Sequence, residues 1–235
     1  MTLTRNPAAW TRRAVLACSI AAVAAVHTQA EQAERIRHAT TVLQEIMAAP
    51  DQAIPSGVME KAEAIAVFPS TVSGGFVVGA QRGRGIISVR DRAKNEWSLP
   101  AFLTVTGGSI GAQIGAQSVD IILVVMNRRG LENLLQNQFK IGAGGEVTAG
   151  PVGRAAEAST DVQLRAEILS YSRSRGLFAG VSLRGAAIRQ DRDSNEAFYG
   201  EPYRTRSIVL DGRAKPVAHA DDIEAWRSAV NRYAK

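Results

Sequence analysis

The sequence predicts an α+β fold: a curved antiparallel or mixed sheet, barrel-like in its curl, with helices at its N- and C-terminal ends. Three observations predict it. Apolar residues recur at helical spacing near both ends, 18 of the 21 glycines between Gly74 and Gly185 punctuate short apolar runs of strand length, and no linker rich in Ser, Pro or charge interrupts the 235 residues. With 46% apolar and 21% charged residues, the composition is that of an ordinary globular chain.

The first thirty residues read as an export signal rather than as part of that fold. Arg5, Arg12 and Arg13 give a basic start, an apolar run extends from Ala14 to Val26, and Thr28 and Ala30 are the small residues a signal peptidase needs, so cleavage leaves Glu31 first. A run of about 13 apolar residues is short of the ~20 that span a bilayer as a helix. The string TRRAVLA resembles a twin-arginine signal, with ordinary secretion as the alternative. Cys18 in VLAC resembles a lipobox, yet only four residues separate it from Arg13, too few for the apolar core of a lipoprotein signal. The expected location is the periplasm or cell envelope of a bacterium. Removing three arginines and no acid lowers the net charge from +6 to +3, so the basic excess belongs partly to the signal.

Residues 31–235 are expected to form one domain, element by element as follows. From Glu31 to Ala49, Ile36, Ala39, Leu43, Ile46 and Met47 make one apolar stripe that Pro50 ends. The polar face is expected to carry Glu31, Glu34 and Glu45 against Arg35 and Arg37. It lacks the basic rim of a helix lying on anionic lipid, so packing on its own domain is expected. A second helix is predicted from Ser56 to Ala64, after Pro55, followed by a strand ending at Pro69. The runs GFVVGA, GIISVR, DIILVVMN and LFAGVSL have strand lengths, and in TGGSIGAQIGAQ the glycines Gly107, Gly111 and Gly115 would share one strand face, leaving a groove without side chains. Asn127 to Gln138 reads as an inserted helix. Val162 to Ile168 alternates cleanly as a half-buried strand, and residues 201–235 read as a strand and helix extension, the helix running from Ala220 to Tyr233.

The chemistry-bearing residues point away from catalysis. One cysteine and three histidines, His27, His38 and His219, leave the long central stretch without an imidazole for a general base or a metal. Neither GRGIIS nor GAGGEV completes G-x-G-x-x-G, and no Gly-Lys pair completes a P-loop. Gly107-Gly108-Ser109-Ile110-Gly111 matches G-x-S-x-G, but Ser109 lies in a Gly-rich strand rather than at a strand-to-helix turn. Asp191, Asp193 and Asn195 begin like a calcium loop, yet Glu196 and Pro202 stand where Gly and a bidentate Glu belong, and DRDSNE reads better as a polar turn or helix cap. Asp120 reads as a strand-start turn residue and His38 as a surface residue. No catalytic residue, metal site or cofactor is expected.

What remains is local positive charge. Arg82, Arg84, Arg90, Arg92 and Lys94 cluster around one acid, Asp91, and Arg173, Arg175, Arg184 and Arg189 occupy a stretch without acids; such groups can hold phosphates. Nucleic acid is not the expected partner, because the patches lack interleaved aromatics. Arg173 and Arg175 either present a fork of donors to one phosphate or pair with Glu167 or Glu157 at the surface. Trp97, between a charged and an apolar stretch and followed by Pro100, is expected to be a buried anchor.

Several strings together resemble a known family. SYSRSRGLFAGVSLRG (Ser170 to Gly185) followed by DSNEAFYG (Asp193 to Gly200) is similar to the C-terminal signature of the SYLF domain. AIAVFP, Gly74-Gly75-Phe76, Gly83-x-Gly85, Trp97-Ser98-Leu99-Pro100, GGSIGAQIGAQ, Asp120 and Ala149-Gly150-Pro151-Val152-Gly153-Arg154 agree in order over residues 35–200. The resemblance implies a lipid-binding module whose eukaryotic members bind phosphoinositides and other anionic lipids, and some of which bind actin filaments. For an exported bacterial member it implies an anionic phospholipid or membrane surface as partner, with actin not expected. The expected headgroup contacts are Arg82, Arg84, Arg90, Arg92, Lys94, Arg173, Arg175 and Arg184. The alternative is a structural or protein-interaction domain with no lipid ligand.

Overall fold

The structure is a computed structural model that describes residues 29–49, 53–75, 78–110, 115–143, 145, 147–152, 166–174, 177–180, 183, 185–216 and 218–234. The expected signal up to residue 28, Gly111 and the stretch Val162 to Arg165 lie outside these residues.

Helix α1 spans residues 29–47 and buries Ile36, Ala39, Leu43 and Ile46, as the spacing predicts. Arg35 corrects the expected polar face: three residues after Gln32 and four before Ala39, it lies on the buried stripe and is 7% exposed. Helix α2 (Ser56–Lys61) stops before the predicted Ala64, which instead opens strand β1 (Ala64–Gly75). Then come β2 (Val78–Asp91), β3 (Glu96–Trp97), β4 (Ala101–Ile110), β5 (Gly115–Val125), α3 (Arg128–Leu134), β6 (Gln138–Lys140), β7 (Val147–Ala149), β8 (Ile168–Ser174), β9 (Leu177–Gly180) and β10 (Ala186–Gln190). Helices α4 (Arg192–Tyr199), α5 (Thr205–Val209) and α6 (Ala220–Tyr233) complete the order.

The sheet runs β6-β10-β4-β2-β1-β5-β8-β7, with β3 on β2 and β9 on β8, and curls into a half-barrel. Its pairs are antiparallel except β7 with β8, so the sheet is mixed. The β1–β2 pair occupies the centre, flanked by β5 and β4. At its far end Gly75 lies opposite both Gly79 and Gly115. Gly107 and Gly115 therefore sit on separate strands either side of the central pair, which corrects the single glycine face expected for TGGSIGAQIGAQ. What approaches Gly107 is the backbone of Ala186 on β10, its neighbour in the sheet.

Pro69 does not end β1. The register with β2 breaks between Val67 and Val72, and that with β5 between Phe68 and Thr71, so Pro69 and Ser70 form a bulge. A bulge suits a proline, which has no N–H to give a ladder, and Ser70 takes a left-handed φ of 49° there. The displaced chain leans on β2: a Cβ on Gly83 would collide with the Thr71 side chain, and one on Gly85 with the Val67 carbonyl and the Phe68 ring. Gly83-x-Gly85 is thus a space requirement of the bulge.

One apolar core extends from Ala33 on α1 to Ala234 after α6. Trp97 is 2% exposed, the buried anchor that its flanking stretches predict. Trp226 of α6 donates its indole N–H to Ser88 Oγ at 2.8 Å, so the last helix is bonded to β2 within the core. Three predicted boundaries move. Strand β8 begins at Ile168, with Ala166 and Glu167 ahead of it; α3 stops at Leu134 so that Gln138 opens β6; and the expected strand of residues 201–235 is helix α5. The last change has a visible cause, because Thr205, Ile208 and Val209 bury at helical spacing, not alternately.

Candidate functional site

The signature segment after β10 is built as a staple. Asp191 accepts from the backbone N–H of Ser194 as the N-cap of α4, and Gly200 closes the helix in the left-handed region. Asn195, fully buried, accepts from Phe102 N–H at 2.9 Å, which fixes α4 against β4. Phe198 packs edge-on against Phe102, and Tyr199 donates its hydroxyl to the Pro100 carbonyl. The other half of the staple comes from α1, where Arg35 donates to Asp191 Oδ2 at 2.8 Å and Ser194 Oγ at 3.2 Å and lies over the Phe102 ring. Burial works to raise the Asp191 carboxyl, but the hydrogen bonds from Arg35 and Ser194 and the Arg35 charge outweigh it and hold that carboxyl below its ordinary range. Desolvation pulls the Arg35 guanidinium below its own usual value, which is too high for the group to lose its charge.

Arg173 of the SYSRSRG string is likewise spent inside the protein. Its Nε and Nη2 donate to Asp120 Oδ2 at 3.0 and 2.7 Å, and its Nη1 pairs with Glu45 near the end of α1. Asp120 Oδ1 accepts from Ser70 N–H at 2.9 Å, so one carboxylate ties β8 and the β1 bulge together and, through Arg173, reaches α1. This corrects two expectations. Asp120 is a partnered acid within β5, 14% exposed, rather than a turn residue, and Arg173 is no free headgroup donor. Nor does it pair with Glu167, which engages Arg129 instead.

The remaining predicted contacts do not form one patch. Arg84 pairs with Glu31 at the start of α1; Arg92 pairs with Glu63 at 2.7 Å and donates to the Lys61 carbonyl; Arg90 donates to the Glu60 carbonyl and Asn95 Oδ1; Lys94 lies 3.4 Å from Asp91. Arg90, Arg92 and Lys94 line a polar groove of about 550 Å³ against α5 and α6, apart from Arg82 and Arg84. Asp91 is therefore not the sole acid of the cluster, since Glu31 and Glu63 come to it from other elements. Arg175 and Arg184 lie outside the described residues.

Arg82 differs: it has no hydrogen-bond or ion-pair partner among the described residues. It opens onto the larger groove, about 750 Å³, between the exposed side of α1 and the bulged β1–β2 pair. The helix wall carries Glu31, Glu34, Arg35 and His38; the strand wall carries Ser70, Val72, Arg82 and Arg84. Val72 is directly opposite Arg82 across the β1–β2 ladder and is 54% exposed, the large hydrophobic side chain left most open among the described residues. A cation without a protein partner thus stands beside an uncovered aliphatic group, an arrangement able to take an anion carrying an apolar continuation. His38 is 60% exposed, the surface residue the sequence predicts. Glu34 and Val72 carried no sequence signal as site residues, because single exposed residues on a helix and a strand have no spacing pattern. Among the described residues no three His, Cys, Asp or Glu side chains gather to hold a metal.

Comparison with known proteins locates the chain among others. The model of the family described as Ysc84, Las17-binding protein actin regulator, matches residues 106–229. LAS seventeen-binding protein 3 of Saccharomyces cerevisiae is 31% identical over 176 residues, 74% of this chain and 38% of its own. SH3 domain-containing YSC84-like protein 1 of Homo sapiens is 31% identical over 185 residues, 78% of this chain and 54% of its own. The chain spans about half or less of the length of these curated relatives.

Proposed function

This chain belongs to the Ysc84 (SYLF) family, and on that premise we propose that it is a non-enzymatic binding module of the bacterial cell envelope that recognises anionic phospholipid headgroups. The observation that carries the reading is Arg82. Of the arginines and lysine predicted as headgroup contacts and described here, it is the one that no protein group engages, and the exposed Val72 stands opposite it. A headgroup phosphate gives the guanidinium the bidentate partner it lacks, and the aliphatic part of the lipid covers the valine. Export fits this site: cleavage after Ala30 would leave the first buried residue of α1, Gln32, and the whole buried stripe in place.

Vesicle flotation tests the proposal. Neutral vesicles doped with phosphatidylglycerol are expected to carry the protein at low salt and to release it as ionic strength rises and the Debye length falls from about 10 Å at 0.1 M to about 3 Å at 1 M. Arg82→Gln should weaken that binding, and binding indifferent to both salt and Arg82 would sink the reading.

A second reading has its own support. The family description names Las17 and an actin regulator, which leans against the expectation that actin is no partner and favours a protein-interaction module. Co-sedimentation with filamentous actin, saturable and unaffected by Arg82→Gln, would favour it over lipid.

A further inference from the structure

The groove beside α1 holds two opposite charges that the protein leaves unneutralised, and they stand on opposite walls. On the strand wall is Arg82, without a partner among the described residues. On the helix wall is Glu34, 59% exposed, whose charged neighbour is His38 Nε2 at 3.6 Å, a cation only when protonated. Next to them Arg84 and Glu31 neutralise each other, and Arg35, which also borders the groove, is matched by Asp191. A simple anion at Arg82 would gain the guanidinium but face the like charge of Glu34 across the groove. A ligand with a cation close to its phosphate satisfies both walls at once.

We propose that the groove accepts an aminophospholipid headgroup, a phosphodiester with a primary ammonium two carbons away. The phosphate lies on Arg82, the ammonium donates to Glu34, and the glycerol end passes over Val72. The proposal rests on the phosphate contact of the phospholipid reading and replaces a net anionic headgroup by a zwitterionic one. A primary ammonium has three N–H donors for a carboxylate, whereas choline has none and glycerol carries no charge, so the two walls discriminate among common headgroups.

The test compares phosphatidylcholine vesicles doped equally with phosphatidylethanolamine or phosphatidylglycerol at low salt, together with calorimetric titration of free O-phosphoethanolamine. The wild-type protein should favour the ethanolamine vesicles by about tenfold, the worth of one charge-assisted contact. Glu34→Gln should abolish that preference while leaving or raising binding to phosphatidylglycerol, and Arg82→Gln should weaken both. Equal binding to the two lipids with no effect of Glu34→Gln would overturn amine recognition and leave the phosphate reading standing. Binding to neither lipid would overturn both. Titration with free O-phosphoethanolamine without any vesicle binding would overturn a lipid as the source of the headgroup.

Discussion

The staple joining α1, α4 and β4 and the groove between α1 and the β1–β2 pair share one helix, with Arg35 bordering both, yet they use charge in opposite ways. In the staple Arg35 and Asp191 are 7% and 13% exposed and each has more than one partner. In the groove Arg82 has none among the described residues, and Glu34 has a histidine. Charge withdrawn from water must be matched within the protein, whereas charge left in water is free to meet a ligand. The described residues of the family strings DSNEAFYG and SYSRSRG, Asn195 and Arg173 among them, fall on the matched side. Those residues hold α1 and α4 against the sheet.

The comparison breaks most sharply at the buried pair. Asp191→Asn keeps a capping side chain on α4 but leaves Arg35 buried with an uncompensated charge, and should cost about 3–5 kcal/mol in urea unfolding. The same substitution should flatten the acid limb of stability. Because the native carboxyl is held below its ordinary value, its contribution is fully present above the unfolded-state pKa and fades as pH falls through the lower native one. A variant whose stability declines between neutral pH and pH 3 just as the wild type does would remove Asp191 from the acid response.

Trp97→Ala, on the matched side but uncharged, should cost about 3–5 kcal/mol through the cavity it opens. A loss below about 1 kcal/mol by the same denaturation measurement would contradict its burial. Arg173→Gln should be milder, about 1–3 kcal/mol, since Asp120 keeps the Ser70 N–H while losing its cation. Its effect on vesicle binding should disappear once folded fractions are compared. Lipid binding lost from a fully folded Arg173→Gln protein would move this arginine to the groove's side of the contrast. The smallest effect on stability belongs to Arg82→Gln, for which the thermal midpoint should not move while vesicle flotation weakens. A drop in midpoint would show that Arg82 too is matched within the fold.

Much of the fold was legible. Helix α6 has the predicted bounds, α1 buries the predicted stripe, and Trp97 is the predicted anchor. Arg35 was misplaced although its spacing from Gln32 and Ala39 puts it on that stripe, because charge normally excludes a residue from a core and here a distant acid reversed the rule. The bulge in β1 was missed because Pro69 reads as a terminator; Gly83 and Gly85, which make room for it, lie on another strand. For the site, the sequence singled out Arg82 but gave it the same standing as Arg84, Arg92 and Arg173.

The sequence by itself determined most of the helices and strands, though not α5 or β6, because periodicity, glycine punctuation and capping act between residues a few positions apart. Only the tertiary structure decided which charges are free. Arg84 meets Glu31 across 53 positions, Arg173 meets Glu45 across 128, and Arg35 meets Asp191 across 156. Coulomb attraction and desolvation depend on distance in space, and no local pattern in the chain records which arginine the fold will leave without an acid.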